Sequence, residues 1–485
     1  MEKVKVSKKD EVYIKIDCDR GLAQEISIYF TFDVPGAKFM PSVRNKYWDG
    51  KIRLFNTQTM LLYTGLLEHL RRFCEERDYE FIVGDNLDCV NDISIQEAKE
   101  IFSNLPLEPR DYQLGAFVHA VRKNRALILS PTASGKSLII YMLCRYYKGR
   151  KLVIVPTTSL VHQMSSDFED YYSSNQQIYS TAKIMASQEK NNEKEIIFST
   201  WQSIYKQPKK WFDAFDVIIG DEAHLFKAQS LTSIMTKLTD CRYRFGFTGT
   251  LDDTETNKLV LEGLFGPVMK VVTTQELIEN KTLSPFRIKG LVLKYPPEVC
   301  KPMNKATYQD EIKFLISNEK RNIFIKNLTL SRKGNTLVLY QMVEKHGAIL
   351  YDMINKGAEE GRKVFFIHGG IDADERESVR SITEKEDNAI IIASYGTFST
   401  GINIKRLHNI IFASPTKSRV RTLQSIGRGL RKGEGKEQAT LYDIADNISW
   451  KSWNNHTLKH FAVRVKMYNE EQFEYKIYNI KVKDD

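Results

Sequence analysis

The chain has 485 residues, 42% hydrophobic and 27% charged, and a formal net charge of +10 at pH 7, which is typical of a globular protein of about three domains. No stretch approaches the roughly 18 uninterrupted apolar residues of a membrane span, and the N-terminus lacks the apolar core of a signal peptide. Six widely spaced cysteines without a C-x-x-C pair argue against a zinc site or a disulfide framework and favour a reduced, cytoplasmic protein.

The charge is unevenly distributed along the chain. Residues 401–485 hold 16 Lys and Arg against 9 Asp and Glu, whereas residues 1–100 hold 15 against 18. A basic C-terminal part is typical of proteins that bind a polyanion, most often nucleic acid. A solvated surface explains the same excess, so charge alone leaves both interpretations open.

Residues 1–100 are predicted to form a separate small α+β domain. Residues 64–79 have the spacing of an amphipathic helix. Three segments alternate polar and apolar residues, which favours antiparallel strands with one wet face: EVYIKIDC (11–18), EISIYFTFDV (25–34) and GKIRLFN (50–56).

A basic and aromatic stretch, KYWDGKIRLF, occupies residues 46–55. Lys46, Lys51 and Arg53 alternate there with three aromatic residues around an Asp-Gly turn. Aromatic rings stack on exposed bases while cations follow phosphates. A hairpin with core aromatics explains the pattern as well, and core packing is the favoured assignment for Trp48 and Phe55.

Two α/β domains are predicted next, over residues 101–270 and 271–450, because nearly continuous apolar runs alternate there with helical stretches. Such runs indicate parallel strands covered by helices on both faces. The predicted strands are 126–130, 151–156, 195–200, 216–220 and 243–250, then 335–340, 363–369, 388–396, 409–415 and 439–444. Residues 451–485 are predicted to form a basic helix and a strand, which contact DNA or pack on the second α/β domain.

The stretch ILSPTASGKSL (128–138) predicts a phosphate-binding loop between a strand and a helix. Gly135 permits close approach of the phosphates, Lys136 reaches them, and the Ser137 hydroxyl binds Mg²⁺. The opening glycine of the usual pattern is replaced by Ser130, so the loop taken alone is equally consistent with a plain turn.

Two adjacent carboxylates follow the predicted strand 216–220, in the motif DEAH (221–224). Ligands bind at the carboxyl ends of strands in open α/β sheets. Asp221 is therefore predicted to hold Mg²⁺, and Glu222 to polarise the attacking water.

The DEAH and SPTASGKS motifs resemble those of the DExD/H-box helicases of superfamily 2, in which the loop commonly lacks its opening glycine. The similarity narrows, over nearly the whole chain, to the UvsW-type helicases of T-even-like bacteriophages. Further segments match the helicase motifs in order: EPRDYQ (108–113), VPTTSLVHQ (155–163), STWQS (199–203), FTGT (247–250), YGTFSTGINI (395–404) and LQSIGRGLRK (423–432).

This resemblance implies two tandem RecA-like P-loop domains with ATP bound between them. The implied nucleotide site comprises Arg110, Gln113, Thr132, Ser134, Gly135, Lys136, Ser137 and Gly401, with Asp221 and Ser137 as metal ligands. Lys136, Glu222, Gln424, Arg428 and Arg431 are the implied catalytic residues. The last three share one helix face by their spacing, and the two arginines act as arginine fingers. The implied nucleic-acid contacts are Pro156, Thr157, Thr200, Trp201, Gln202 and Thr400, together with Lys46, Lys51 and Arg53. The resemblance also implies that residues 1–100 bind DNA, through a local basic ridge that includes Lys38 and Arg44 besides these three cations.

The function that the resemblance implies is that of a monomeric DNA helicase dependent on ATP and Mg²⁺, without a membrane partner. Its expected partners are branched, forked and single-stranded DNA and RNA–DNA hybrids. Expected reactions are fork regression, Holliday junction branch migration and D-loop or R-loop dissociation in phage recombination, repair and replication. An RNA or RNA–DNA helicase and the motor subunit of a restriction-type complex are the alternatives.

Overall fold

The computed structural model of the protein describes residues 2–84, 87, 91–172, 179–185, 190, 193–251, 255–401, 404–433 and 436–482. The chain divides into two compact units, one of Met1–Ser130 and Gly135–Val271 and the other of Pro131–Ser134 and Val272–Asp485. Among the described residues, no helix is long and apolar enough to cross a membrane. The domain boundaries at residues 100, 270 and 450 stay predictions.

The N-terminal part of the first unit is a small mixed sheet of five strands in the order β5-β6-β2-β1-β7, beside a separate two-stranded pair, β3-β4. Strand β1 is antiparallel to β2 and parallel to β7. The strands are β1 Lys3–Lys8, β2 Tyr13–Asp17, β3 Thr31–Asp33, β4 Lys51–Arg53, β5 Phe55–Asn56, β6 Leu61–Tyr63 and β7 Glu80–Val83. The helices are α1 Arg20–Tyr29, α2 Pro41–Arg44, α3 Leu67–Glu75 and α4 Ile95–Ile101.

The predicted strand over residues 25–34 is wrong for most of its length, because helix α1 continues to Tyr29 and only β3 is extended. The Asp19 side chain accepts a hydrogen bond from the Leu22 backbone N–H and caps this helix. Leu22 and Ile26, four residues apart, are buried, whereas Ile28 is 66% exposed. Helical spacing therefore overrides the alternating pattern.

A seven-stranded parallel sheet forms the rest of the first unit, in the order β10-β11-β9-β12-β13-β8-β14. The five predicted strands are confirmed, and β10 and β14 were not predicted. The strands are β8 Arg125–Leu129, β9 Lys151–Val155, β10 Thr181–Ile184, β11 Ile196–Thr200, β12 Val217–Asp221, β13 Tyr243–Thr248 and β14 Val268–Lys270. The helices are α5 Asp111–Lys123, α6 Lys136–Tyr146, α7 Thr158–Tyr171, α8 Trp201–Ile204, α9 Lys209–Phe212, α10 Gln229–Lys237 and α11 Glu255–Phe265.

The second unit contains another seven-stranded parallel sheet, in the order β17-β18-β16-β19-β20-β15-β21. The predicted class of two RecA-like α/β domains after an α+β domain is thereby confirmed. The strands are β15 Phe286–Lys294, β16 Thr336–Tyr340, β17 Val364–Ile367, β18 Ile390–Ser394, β19 Asn409–Phe412, β20 Ala439–Asn447 and β21 Tyr475–Lys481. The helices are α12 Thr274–Glu279, α13 Pro297–Cys300, α14 Tyr308–Ser317, α15 Glu319–Leu330, α16 Ala348–Gly357, α17 Ala373–Lys385, α18 Tyr395–Gly401, α19 Arg419–Gly429 and α20 His456–Glu470.

The C-terminal helix and strand are part of the second unit, where the helix has buried residues and the strand forms one edge of the sheet. Strand β21 pairs with β15 along its whole length. Arg464 of α20 is 1% exposed and forms two hydrogen bonds to the Asp443 carboxylate, of 2.9 and 2.7 Å. For Arg464, packing on the sheet rather than contact with DNA is therefore the observed role.

The N-terminal part packs directly on the α/β part of the first unit, and one apolar core contains residues of both. The Glu11 backbone N–H donates to the Thr239 carbonyl over 2.8 Å, and the Arg125 guanidinium contacts the Glu11 carboxylate at 3.3 Å. His69 Nε2 lies 3.0 Å from the Glu262 carboxylate. These contacts make the N-terminal sheet an integral part of the first unit.

Candidate active site

The motifs of the first unit lie at the carboxyl edge of its parallel sheet. Strands β8, β12 and β13 lead into the nucleotide motifs, whereas β9 and β11 lead into the segments with predicted nucleic-acid contacts. Because the central strand order is β11-β9-β12-β13-β8, the two sets occupy adjacent halves of one edge. This is the edge at which open α/β sheets bind ligands.

The phosphate loop requires glycine at position 135. Gly135 has a φ of +80°, and a Cβ atom there would lie 2.4 Å from Gln113 Nε2. Any other residue would be strained at this φ, and its Cβ would displace the Gln113 amide. Helix α6 begins at the next residue, Lys136, so its unpaired N-terminal N–H groups face the loop. Thr132 is half-buried, and Ser134 Oγ donates a 2.7 Å hydrogen bond to the Pro131 carbonyl.

Gln113 links the predicted adenine-recognising segment to the phosphate loop. Its Nε2 donates to the Gly135 carbonyl over 3.2 Å, and its Oε1 accepts from the Arg110 backbone N–H over 2.9 Å. The Arg110 guanidinium donates to the Tyr112 hydroxyl over 2.9 Å. Gln113 and Arg110 are thus brought to the loop, and their role in reading adenine stays a prediction.

Glu222 is the centre of a polar chain that crosses three motifs. Its Oε1 lies 4.0 Å from Lys136 Nζ, and its Oε2 lies 3.2 Å from His224 Nδ1. His224 Nδ1 is also 3.0 Å from Thr248 Oγ1. Because the Thr248 hydroxyl donates its proton to the Thr250 carbonyl over 2.8 Å, His224 Nδ1 is the donor toward Thr248.

His224 did not appear among the predicted site residues, although it closes the DEAH motif. Its signal was present in the sequence, since the histidine stands two residues after the predicted general base. Its partner Thr248 lies on β13, which pairs with β12, the strand that carries Asp221. The pairing of these two strands brings His224 and Thr248 together, although they are far apart in the sequence. The sequence alone therefore does not predict the contact.

Asp221 has the surroundings of a cation ligand. Its Oδ1 is buried and accepts no hydrogen bond from the described residues. Burial raises the pKa of this carboxyl to about 6, Lys136 opposes that rise, and the neighbouring Glu222 adds to it. Burying a carboxylate without a partner is costly, and a hard divalent cation with oxygen ligands satisfies it. The residues therefore fit Mg²⁺, with Ser137 Oγ, which lies 2.9 Å from Tyr171 Oη, as the second predicted ligand.

The predicted nucleic-acid residues of the first unit differ in how available their side chains are. Thr157 Oγ1 accepts from the Leu160 backbone N–H and caps α7. Thr200 Oγ1 lies 2.9 Å from Ser203 Oγ, and the Trp201 ring packs against Tyr205. Gln202 is exposed, and Pro156 is half-buried.

In the second unit, Arg428 lies on helix α19, with its guanidinium 5.3 Å from the Phe398 ring centroid. The helix ends at Gly429, so Arg431 follows it instead of continuing the predicted face with Gln424. Thr400 and Gly401 fall at the end of α18, where only the backbone is described. Asn403 of the same motif lies outside the described residues.

A buried lysine, which sequence reasoning missed, holds the segment after α19. Lys436 Nζ donates to the carbonyls of Arg431, at 2.7 Å, of Lys405, at 3.3 Å, and of Gly429. Burial lowers its pKa to about 7, and three carbonyl acceptors use all three protons of the ammonium form. No local pattern predicts this contact, because the acceptors come from two separate segments.

The three predicted DNA-binding cations of the N-terminal part differ in whether they form ion pairs. Lys51 lies 3.9 Å from Asp33, and Arg53 forms two hydrogen bonds to Asp49. The hydrogen bond from Arg53 lowers the pKa of the Asp49 carboxyl to about 2. Lys46 is exposed and forms no ion pair with any described residue.

Family models match three successive segments of the chain. Residues 3–84 match "DNA helicase UvsW, N-terminal", residues 106–253 match "Type III restriction enzyme, res subunit", and residues 319–433 match "Helicase conserved C-terminal domain". The second match spans strands β8 to β13 of the first parallel sheet, and the third spans strands β16 to β19 of the second.

Whole-chain comparisons agree on one of these families. The ATP-dependent DNA helicase UvsW of Enterobacteria phage T4 is 34% identical over 97% of this chain and 98% of its own length. Its crystal structure matches 99% of this chain and 100% of the solved chain, with a TM-score of 0.52 and 32% identity. The DNA 3′-5′ translocase XPB2 of Sulfurisphaera tokodaii is 23% identical over 72% of this chain and 86% of its own length. The chain therefore belongs to the UvsW family of ATP-dependent DNA helicases within superfamily 2.

Proposed function

We propose that this protein is a motor that couples ATP hydrolysis to translocation on DNA and remodels branched DNA. The proposed reactions are fork regression, Holliday junction branch migration and dissociation of D-loops and R-loops. The observation that carries the motor is the convergence of Lys136, Asp221 and the Glu222–His224–Thr248 chain at one sheet edge. Family membership over nearly the full chain supports DNA as the substrate.

The nucleotide is bound by residues that differ in chemistry and in role. The N–H groups at the start of α6 and the Lys136 ammonium bind its phosphates, and Gln113 and Arg110 recognise adenine. Asp221 and Ser137 would hold Mg²⁺, which neutralises charge on the phosphates when bound. Glu222 orients the attacking water and accepts its proton.

The His224 imidazole connects hydrolysis to DNA movement. Its Nδ1–H donates to Thr248 Oγ1, and Glu222 Oε2 lies 3.2 Å from the same Nδ1 without accepting a hydrogen bond from it, so a change in the charge of Glu222 alters its attraction for this N–H. The strength of the hydrogen bond from His224 to Thr248 then depends on whether the nucleotide has been hydrolysed. In the second unit, Arg428 and Arg431 stabilise the γ-phosphate as arginine fingers, with Gln424 beside them.

The DNA strand contacts the adjacent half of the sheet edge. The proposed contacts are Pro156, Thr157, Thr200, Trp201 and Gln202, with Thr400 from the second unit and Lys46, Lys51 and Arg53 from the N-terminal hairpin. Thr157 and Thr200 have locally hydrogen-bonded hydroxyls, so their backbone groups and helix N-termini are the stronger candidates for phosphate contacts.

The experiment that tests this function compares ATPase stimulation by single-stranded, duplex, forked and RNA-containing ligands at one stated salt concentration. We expect the largest stimulation with forked DNA. Equal or greater stimulation by RNA alone would support an RNA helicase instead. Stimulation by plain duplex to the level of the fork would favour the restriction-type motor, whose family model matches residues 106–253.

A further inference from the structure

The connection between β3 and β4 folds into a compact tip, which we call the hairpin tip, residues 34–50. The Val34 backbone N–H donates to the Gly50 carbonyl over 2.8 Å and closes its base. Inside it lie a short 3₁₀ turn and helix α2, and the Tyr47 N–H donates to the Ser42 carbonyl over 2.9 Å. The tip therefore has a defined backbone on a two-stranded stem.

The hairpin tip presents two aromatic rings to solvent. Tyr47 is 86% exposed and Phe39 is 74% exposed, the two largest values for any large hydrophobic side chain in the described part of the chain. Burying such a ring would stabilise the fold, and two rings on one short segment stay exposed instead. By contrast, Phe55 beyond the stem is 2% exposed, as a core aromatic should be.

The same tip is positively charged. Lys38, Arg44 and Lys46 are exposed and form no ion pair with any described residue, and Lys38 Nζ lies 5.2 Å from the Phe39 ring centroid. The carboxylates near the tip, Asp33 and Asp49, are already paired with the stem cations. The hairpin tip therefore carries exposed rings and cations without ion pairs, and neither Asp33 nor Asp49 is left to neutralise these cations.

The two exposed rings and the three cations beside them indicate what kind of ligand binds the hairpin tip. Exposed aromatic faces next to cations bind unpaired nucleotides, because every base has a face to stack and every linkage has a phosphate. A protein partner of similar affinity would need a larger apolar patch than two rings. Given the proposed helicase function, on which this rests, we propose that Phe39 and Tyr47 stack on unpaired bases at a DNA branch while Lys38, Arg44 and Lys46 bind the adjoining phosphates.

The test uses the full-length protein and a forked DNA with 2-aminopurine at the unpaired positions next to the branch. Stacking on a ring changes the fluorescence of this base analogue. We expect the signal in the wild type and its loss in Phe39→Ala/Tyr47→Ala, with fork affinity about tenfold weaker or more for each ring lost. The ring-retaining pair Phe39→Tyr/Tyr47→Phe should keep both signal and affinity.

Two controls separate stacking from folding and from charge. Ile28→Ala removes a 66% exposed apolar side chain from α1 of the same domain and should change neither signal nor affinity. Lys38→Ala/Arg44→Ala/Lys46→Ala should lower the salt dependence of binding and keep the fluorescence change at saturating protein. Ile28→Ala should also keep the DNA-independent ATPase of the wild type.

The outcomes distinguish this inference from the proposed function. If the double alanine variant keeps the wild-type signal and affinity, the rings do not stack on DNA. If the ring-retaining pair is as weak as the alanine pair, the rings act only in packing, and the inference is likewise overturned. If the wild type binds the fork no better than RNA and shows no DNA-stimulated ATPase, the helicase function itself fails. Retained DNA binding with loss of a protein partner would identify the tip as a protein-binding surface.

Discussion

The ammonium of Lys436 donates a 2.7 Å hydrogen bond to the backbone carbonyl of Arg431. The last carbonyls of a helix lack intrahelical partners, and here Gly429 and Arg431 receive the same buried cation. The Ser284 N–H donates to the Leu430 carbonyl between them over 2.8 Å. The carbonyls of residues 429, 430 and 431 are therefore all hydrogen-bonded, which fixes the backbone that carries Arg431, the second predicted arginine finger.

Lys436→Met should lower kcat for ATP by about tenfold or more with little change in KM. An arginine finger contributes about 10³–10⁵-fold, and a displaced finger loses part of that contribution. Steady-state ATPase at saturating DNA measures the effect. Lys432→Met, at an exposed lysine of the same segment, is the matched control and should behave as wild type. Equal kcat values for Lys436→Met and wild type would contradict the positioning role.

Lys136→Ala should abolish ATP hydrolysis and leave DNA binding largely intact. The phosphate loop loses its cation, whereas the proposed DNA contacts lie on other segments. ATPase rates and fork-binding titrations at one salt concentration check both halves of the prediction. Lys148→Ala changes an exposed lysine beyond the end of α6 and should retain full turnover. Wild-type turnover in a folded Lys136→Ala protein would refute the assignment of this loop.

Glu222→Gln should still bind ATP with Mg²⁺ but hydrolyse it about 10²–10⁴-fold more slowly, because the amide keeps the shape of the carboxylate and cannot accept the proton. Single-turnover hydrolysis with prebound nucleotide measures the step directly. A loss of only about twofold would assign the general base to another group.

Replacing Lys46, Lys51 and Arg53 together by Ala should weaken fork binding and reduce its salt dependence. Each lost phosphate contact lowers the slope of log K against log salt by about one unit. The ion pairs of Lys51 and Arg53 are solvent-exposed, and such pairs contribute little to stability, so DNA phosphates can displace them. Binding isotherms at several salt concentrations measure the slope, and basal ATPase serves as the folding control. An unchanged slope would remove these three cations from the DNA interface.

His346 should make the second unit less stable in acid. Its ring is buried between Ser414 Oγ, 3.1 Å away, and Asn322 Oδ1, 3.3 Å away. Burial, with a smaller effect of Arg321, lowers its pKa to about 3 from an ordinary 6.5. Between those values the unfolded chain binds the proton and the folded chain does not, so stability is complete above pH 6.5 and is lost as the pH falls.

The expected loss from this histidine is about 2 kcal/mol in the free energy of unfolding at pH 5. Urea unfolding of the wild type and of His346→Gln at pH 7.5 and pH 5 measures it. The glutamine variant should lose less stability between the two pH values, because its amide does not titrate in that range. Identical losses in both proteins would show that other groups cause the acid sensitivity.

The parallel strands were predictable because a strand buried on both faces needs a continuous apolar run, and such a run is visible in any window of five residues. The loop and the DEAH motif were predictable because phosphate binding requires particular residues at fixed spacing. Helix α1 was not, since its alternating segment suits a strand and only the cap at Asp19 and the packing of Leu22 and Ile26 favour a helix.

Contacts between segments that are distant in the sequence could not be predicted from local sequence patterns either. Arg464 resembles a surface cation in a basic helix, yet its partner Asp443 stands 21 positions earlier on β20, which holds it in the core. The exposure of Phe39 follows from the fold of the hairpin tip, since neither its neighbours nor its spacing distinguish it from a core residue.

The interface between the N-terminal part and the α/β part of the first unit determines where the chain can be truncated. Gly65 lies so close to helix α11 that a Cβ atom there would be 2.0 Å from the Glu262 carbonyl oxygen, and one apolar core runs through both parts. A fragment beginning near residue 106, at the start of the motor motifs, would leave that core uncovered and Glu262 without His69. The N-terminal part therefore covers part of the core of the unit that carries the phosphate loop. Exchanging it between helicases would require changing the contact residues on both sides of this interface together.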